Sequence, residues 1–322
     1  VLWGIFKEVS IVVVLRRSLV AAAFLPALLL LVGTLGASQL EDNLSAYSEM
    51  NATGYMQPLG DIIGTNLNSG LWRSADIAGD GLRISLEVPA VMTRVRDKDR
   101  TFRATTEAGF FPEQTVDAPT AVGPSDAVIV EGEGGTQFAF PGGLDLNSLP
   151  LASVQLRLGR LYGTEVILRY VSANVSDEEL GKVRLFGIGG QHSISQYLGN
   201  PLPFELSAGL FWQSYTLGEN RAGRDLIKGS AFTIGAQGSK KFGQPMIFLE
   251  PYGGISVDTH SMEIDYESEA TGEAEDVILK LDRSTNLRFT IGALFRIYYI
   301  GGYGDYSFTG RHTFSFGIII GN

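Results

Sequence analysis

Side chains able to do covalent chemistry are few in these 322 residues. There is no cysteine, which excludes thiol nucleophiles, thiolate zinc sites and a disulfide scaffold. The three histidines are His192, His260 and His312. His260 follows Asp258 by two positions and precedes Ser261, so on an extended strand Asp258 and His260 share a face and Ser261 points the other way. A nucleophile, its base and an orienting group must lie within hydrogen-bond reach, and this spacing does not bring them there. Carboxylates crowd Glu267–Asp276, and hard cations take such clusters; a solvated acidic loop is the simpler reading. Gly187-Ile-Gly189 and Gly238-Ser-Lys240 echo phosphate loops, but neither opens a helix after a strand. No enzyme, metal or cofactor is expected. Lys and Arg total 25 against 35 Asp and Glu, a net charge of −10, so no basic face awaits nucleic acid.

What remains is a set of full charges inside segments that alternate. In Thr285–Arg296, Leu287, Phe289, Ile291, Ala293 and Phe295 fall on one face, with Asn286, Arg288, Thr290 and Arg296 on the other. Phe314, Phe316, Ile318 and Ile320 oppose Thr313, Ser315 and Gly317; Leu82, Ile84, Leu86 and Val88 oppose Arg83, Ser85 and Glu87. Period two means strands with two unlike faces. Strands are read near 69–77, 81–94, 100–109, 151–160, 164–173, 182–190, 203–217, 227–242, 246–266, 277–296, 298–309 and 311–321. Most connections alternate between tight turns and longer loops, as in an outer-membrane barrel. After residue 38 no apolar run is long enough for a membrane helix.

In hydrocarbon every backbone N–H and C=O must be paired, so a membrane sheet has to close on itself. The expected fold is all-β: a transmembrane, antiparallel, up-and-down β-barrel of about twelve strands (range 10–14), with short helical segments. Apolar faces then meet outer-membrane lipid. Arg83, Glu87, Arg157, Glu165, Arg169, Arg184, Glu205, Glu250, Asp258, Arg288, Arg296 and Asp305 would line the lumen. Mixed signs suggest either a ladder of ion pairs across a narrow interior or a water-filled, weakly selective pore. Tyr298, Tyr306, Phe308 and Phe314 near hairpin ends suit an interfacial girdle or ordinary strand preference equally.

Arg16 and Arg17, the apolar run Leu19–Val32 and the small residues Gly36-Ala37-Ser38 have the order of a bacterial signal peptide over 1–38. Residues 39–68, loosely helical over Leu59–Leu67, read as an N-terminal plug or periplasmic segment; residues 69–322 read as the barrel. Within it, 110–150 is too long for a structureless loop and reads as an extracellular lid with a small hairpin of its own. A short amphipathic helix is expected over His192–Leu198 at the barrel base.

Several phrases, in this order, carry a resemblance: Leu67-Asn-Ser-Gly-Leu-Trp-Arg-Ser-Ala75, Phe140-Pro-Gly-Gly143, Gly163-Thr-Glu-Val-Ile-Leu-Arg-Tyr170, and Phe186-Gly-Ile-Gly-Gly-Gln-His-Ser-Ile-Ser-Gln-Tyr-Leu198. The chain resembles a family of uncharacterised bacterial outer-membrane barrels, known mainly from Bacteroidetes and related phyla, over roughly residues 55–322. That family is distantly similar to FadL-type long-chain fatty-acid transporters, which have an N-terminal hatch, an apolar pocket and usually more strands than are read here. The resemblance implies a passive channel or transporter for small hydrophobic molecules. The alternative is a structural or adhesion barrel with an occluded lumen; an outer-membrane hydrolase comes third.

Overall fold

Alternating segments pair into one antiparallel sheet that closes on itself. The computed structural model describes residues 37–79, 81–174, 182–198, 202–220, 223–268 and 275–321. Of the segment 1–38 expected as a signal peptide, residues 1–36 lie outside them. Helices α1 (Ala37–Ser45) and α2 (Glu49–Leu67) come first. Strand β1 (Arg83–Arg94) is followed by two hairpins, β2 (Thr101–Thr105) with β3 (Thr115–Pro119) and β4 (Val128–Glu131) with β5 (Gln137–Phe140). Then come β6 (Ser148–Ala152), β7 (Val154–Leu161), β8 (Thr164–Asn174), β9 (Lys182–Ser193), β10 (Glu205–Glu219), β11 (Asp225–Ser239) and β12 (Phe242–Gln244). The chain ends in β13 (Ile247–Ser268), β14 (Glu275–Lys280), β15 (Ser284–Ile297), β16 (Ile300–Phe308) and β17 (His312–Gly321).

Each of these strands except the two hairpins joins the barrel sheet, and β1 pairs with β17 from Ser85↔Gly321 to Thr93↔Thr313, which closes it. The thirteen segments make ten strands around the ring, because three are broken. Segments β6 and β7 share β1 as partner on either side of Ser153; β11 with β12, and β14 with β15, do the same along β13. Two segments read as strands from the sequence lie outside the ring. Residues 100–109 enter the β2–β3 hairpin. Residues 69–77 form an extended strap inside the barrel, whose carbonyls are bonded by wall side chains instead of a neighbouring strand. Extended backbone alternates in the same way whichever partner it has.

At one end, the turn end, lie the tight 161–164 and 297–300 hairpins, the start of β1 and the end of β17. The expected helix over 192–198 is there a single 3-10 turn, Ser195–Tyr197, tied to the wall by a 2.7 Å bond between His192 Nε2 and Tyr197 Oη. At the loop end the insertion after β1 and helix α1 form a cap. Outward positions carry exposed apolar side chains around the wall, among them Leu210, Ile234, Leu287, Phe289, Phe316 and Ile318. Helix α2 enters the ring from the cap. Twelve of its nineteen residues are buried, and Gly60 and Gly64 let it press on the wall: a Cβ there would lie 2.6 Å from Leu281 and 2.4 Å from His260.

Candidate functional site

One set of buried charged and amide side chains lies where α2 ends and the strap begins. The last carbonyls of a helix have no partner within it and form the negative end of its dipole. Two arginines from the wall supply the missing donors. Arg169, on β8, donates from Nη1 to the Leu67 carbonyl at 2.8 Å and from Nη2 to the Ser69 carbonyl at 3.2 Å. Arg288, on β15, donates from Nη2 to the Thr65 carbonyl at 2.9 Å and from Nη1 to Ser69 Oγ at 2.5 Å. Gln213 Nε2 adds a bond to the Leu67 carbonyl at 2.7 Å. Asp258 balances Arg288 at 2.7 Å and accepts from Thr233 Oγ1 at 2.6 Å. Asn66 bridges α2 to the wall, donating to the Leu149 carbonyl at 2.7 Å and accepting from Thr93 Oγ1 at 2.6 Å.

Toward the turn end a second network holds the strap. Arg157 lies between Glu87 at 2.9 Å and Glu165 at 2.6 Å, and also donates to the Leu71 carbonyl. Arg73 of the strap pairs with Glu87. The Ser74 carbonyl accepts from Gln191 and Gln237 at 3.0 and 2.8 Å, while Ser74 Oγ donates to Glu250 at 2.6 Å. Ser239 Oγ donates to the same carboxylate at 2.6 Å. Lys241 closes the strap's end on Asp76. One cavity beside the strap, lined by Ser69, Leu71 and Tyr252 among others, measures about 20 Å³. That holds roughly one water.

The structure buries Glu87, Arg157, Glu165, Arg169, Glu250, Asp258, Arg288, Arg296 and Asp305. Arg296 donates to the Gly321 carbonyl at 2.5 Å, and Asp305 accepts from Tyr252 Oη at 3.0 Å. Arg83 and Glu205 are half-buried at the turn end, on inward positions of β1 and β10. Arg184 corrects the sequence reading: it is exposed and points outward with Phe186 and Ile188, while Val183 and Leu185 turn in. The pleat decides this. Two apolar neighbours fill a space beside α2, so the charge between them faces out. Sequence reasoning missed Arg73, Ser74, Gln155, Gln191, Gln213 and Gln237. The glutamines share inward parity with Arg157, Glu165 and Arg169, and that was the signal available.

No catalytic group assembles around His260. Asp258 is taken up by Arg288, His260 Nε2 lies 2.8 Å from Tyr215 Oη, and Ser261 faces outward 3.1 Å from Ser230. Among the described residues no group of three His, Cys, Asp or Glu could hold a metal. Most of the acidic Glu267–Asp276 tip lies outside the described residues; Asp276 pairs with Arg224 at 2.9 Å. No described helix is long and apolar enough to cross a membrane. The surface that meets lipid is the sheet, and a closed bacterial barrel with an apolar outer belt resides in the outer membrane.

The sequence profile of a family of unknown function, DUF6588, matches residues 16–322. The chain belongs to that family. No curated protein matches it. Among solved structures it is similar to the Bordetella autotransporter BrkA β-domain, at 12% identity over 74% of this chain and 98% of that one, with a TM-score of 0.33. The translocator domain of the autotransporter NalP from Neisseria meningitidis gives 12%, 86%, 98% and 0.30 in the same order. A Pseudomonas aeruginosa FadL homologue gives 10%, 86%, 94% and 0.23. Likenesses this low carry no functional assignment.

Proposed function

We infer that this is a plugged barrel whose work is done at its loop end: a structural or adhesion barrel that holds an ordered cap at the cell surface. Long loops of bacterial barrels face outward and short turns face the periplasm, so the cap lies outside. Residues 1–38 serve as the export signal; within 39–68, the first helix belongs to the cap and α2, with the strap, serves as the plug. The single observation behind this reading is that Arg157, Arg169 and Arg288 each bond a backbone carbonyl of α2 or the strap from inside the wall. Withdrawing the plug would break these charge-assisted bonds, each worth roughly 1.5–3 kcal/mol, and leave Arg169 with only the amides of Gln155 and Gln213. The lumen charges act as a clamp.

A second reading, passive passage of small hydrophobic molecules as in FadL-type transporters, is favoured by one feature. An apolar cavity lies between α2 and the wall, lined by Ile63, Leu67, Leu151, Val183, Leu185 and Leu217. Its volume is about 50 Å³, against roughly 300–1,000 Å³ for ordinary ligand sites, so α2 would have to move before anything entered. Conductance in planar bilayers, with fatty-acid uptake into vesicles, separates the readings. The full chain is expected to pass no current and take up no probe, whereas Arg169→Ala/Arg288→Ala opens intermittently. Steady currents or uptake through the unaltered protein would overturn the plugged reading.

A further inference from the structure

Ser172, Arg184, Thr216, Lys228, Glu263 and Lys280 are successive cross-strand partners on β8, β9, β10, β11, β13 and β14. They form one row at one height near the loop end, on the outward side of the wall. The row holds three cations and one carboxylate. Glu263 sits 3.8 Å from both Lys228 and Lys280, and Arg184 has no carboxylate within ion-pair distance among the described residues. Between this row and the turn end, no Asp, Glu, Lys or Arg faces outward on β8 to β11 or on β13. From Thr216 down to Leu206 the outward face of β10 spans about 25 Å along the barrel axis, the height of a hydrocarbon belt. The cations therefore stand at the belt's upper edge.

The row below them is also unusual. Its outward residues are Tyr170, Phe186, Ser214, Ser230 and Ser261. Three adjacent serines leave a trough beside the two rings, in a groove of about 690 Å³ that the cations overhang. A wall built only to meet acyl chains would be filled there by branched apolar side chains, as it is one and two rows lower at Ile188, Trp212 and Ile234.

We propose that this ledge binds the phosphate headgroup of a lipid in the leaflet at the loop end. Arg184, Lys228 and Lys280 meet the phosphate, and the serine hydroxyls meet the ester or amide oxygens just beneath it. The acyl chain lies down the belt past Trp212. Charge complementarity identifies the occupant: cations in excess, at headgroup height, above hydroxyl donors and a dry apolar wall. The site requires that the barrel span the membrane; it is independent of whether the lumen is plugged.

Trp212 lies on the outer face four residues below Thr216 and reports on the lipid beside it. The full chain is reconstituted in phosphatidylcholine bilayers, and quenching by brominated phosphatidate is compared with quenching by brominated phosphatidylcholine. Phosphatidate is expected to bind roughly tenfold more tightly, and Arg184→Gln/Lys228→Gln/Lys280→Gln brings the ratio close to one. Glu263→Gln, which removes the competing carboxylate, raises the ratio. The exposed control Lys98→Gln leaves it unchanged. If the triple variant fails to assemble, Lys280→Gln and Glu263→Gln still shift the ratio in opposite directions. Equal quenching by both lipids, a preference that survives the triple change, or loss of the preference to inorganic phosphate alone would each overturn the proposal.

Discussion

In the cap, Tyr47 packs its ring 5.4 Å from Tyr55 and 6.4 Å from Phe140, with Phe102 edge-on at 6.2 Å. Leu40, Leu44, Val122 and Tyr266 complete an apolar core there. In the lumen, the largest fully buried side chains of the wall include Arg157 and Arg169. The first region is built like a soluble domain, with grease inside and polar groups at the edge. Asn43, for instance, donates to Tyr55 Oη and to the Gly142 carbonyl at the cap's margin. The second is inverted, because its wall must give its apolar face to lipid and keep polar residues within. The difference teaches what each interior can specify. Apolar packing fills volume and tolerates exchange of similar shapes; the lumen fixes one path of one strap, carbonyl by carbonyl.

The largest expected effect tests that contrast in the lumen. Arg288→Met leaves Asp258 buried without its cation and the Thr65 carbonyl without its donor, and should cost about 3–5 kcal/mol in urea unfolding from micelles. Replacing both partners, Arg288→Met/Asp258→Leu, should cost clearly less, since no uncompensated charge remains. Equal losses for the single and double changes would mean that the pair does not act as a unit. Phe140→Ala comes next, at about 3 kcal/mol from lost packing and the cavity left behind. Its loss should appear as faster hydrogen exchange in residues 101–140, with the exchange of β10 and β11 unchanged. If barrel amides exchange faster by the same factor, cap and barrel unfold together and the two interiors are not separate units.

Much of the wall was legible from the sequence. Thr285–Arg296 and Phe314–Ile320 alternate along most of their length, broken by the inward apolar Leu294 and Ile319, and a lipid-facing strand allows little else. Arg288 and Asp258 stood out because a full charge in mid-strand needs a reason. Legibility failed where the physical signal is degenerate. The strap at 69–77 alternates like a strand, and nothing local says that its partners are side chains. Arg184 broke the rule that charge marks the lumen, because at the upper edge of the lipid belt an outward cation is also comfortable. The glutamines were overlooked because an amide on an inward face looks unremarkable until its carbonyl partner is known. The strand count stayed within the ten to fourteen read from the alternation, with ten strands closing the ring; the strap and the first cap hairpin alternate outside it.

The smallest expected effect concerns the seam between the two regions. Arg311, in the turn before β17, pairs with Asp99 of the cap and, at 2.9 Å, with Asp61 of α2. Asp99 also accepts from Arg96 at 2.7 and 2.8 Å. Burial alone would raise the Asp99 carboxyl, but the bonds and charges of Arg96 and Arg311 outweigh it and hold the group below its ordinary value. A carboxylate depressed on folding adds stability above its unfolded value, about 3.9, and that share is lost as the pH falls through the lower folded value. Asp99→Asn should therefore loosen the cap by about 2 kcal/mol at neutral pH, the usual worth of hydrogen bonds to a charged group. Limited proteolysis of the 95–147 segment reads the difference, which should shrink steadily once the pH drops below about 4. A gap between variant and parent that persists unchanged into that range would show that the seam is held by shape at Asp99 and not by its charge, leaving the cap's apolar core to hold it in place on the barrel.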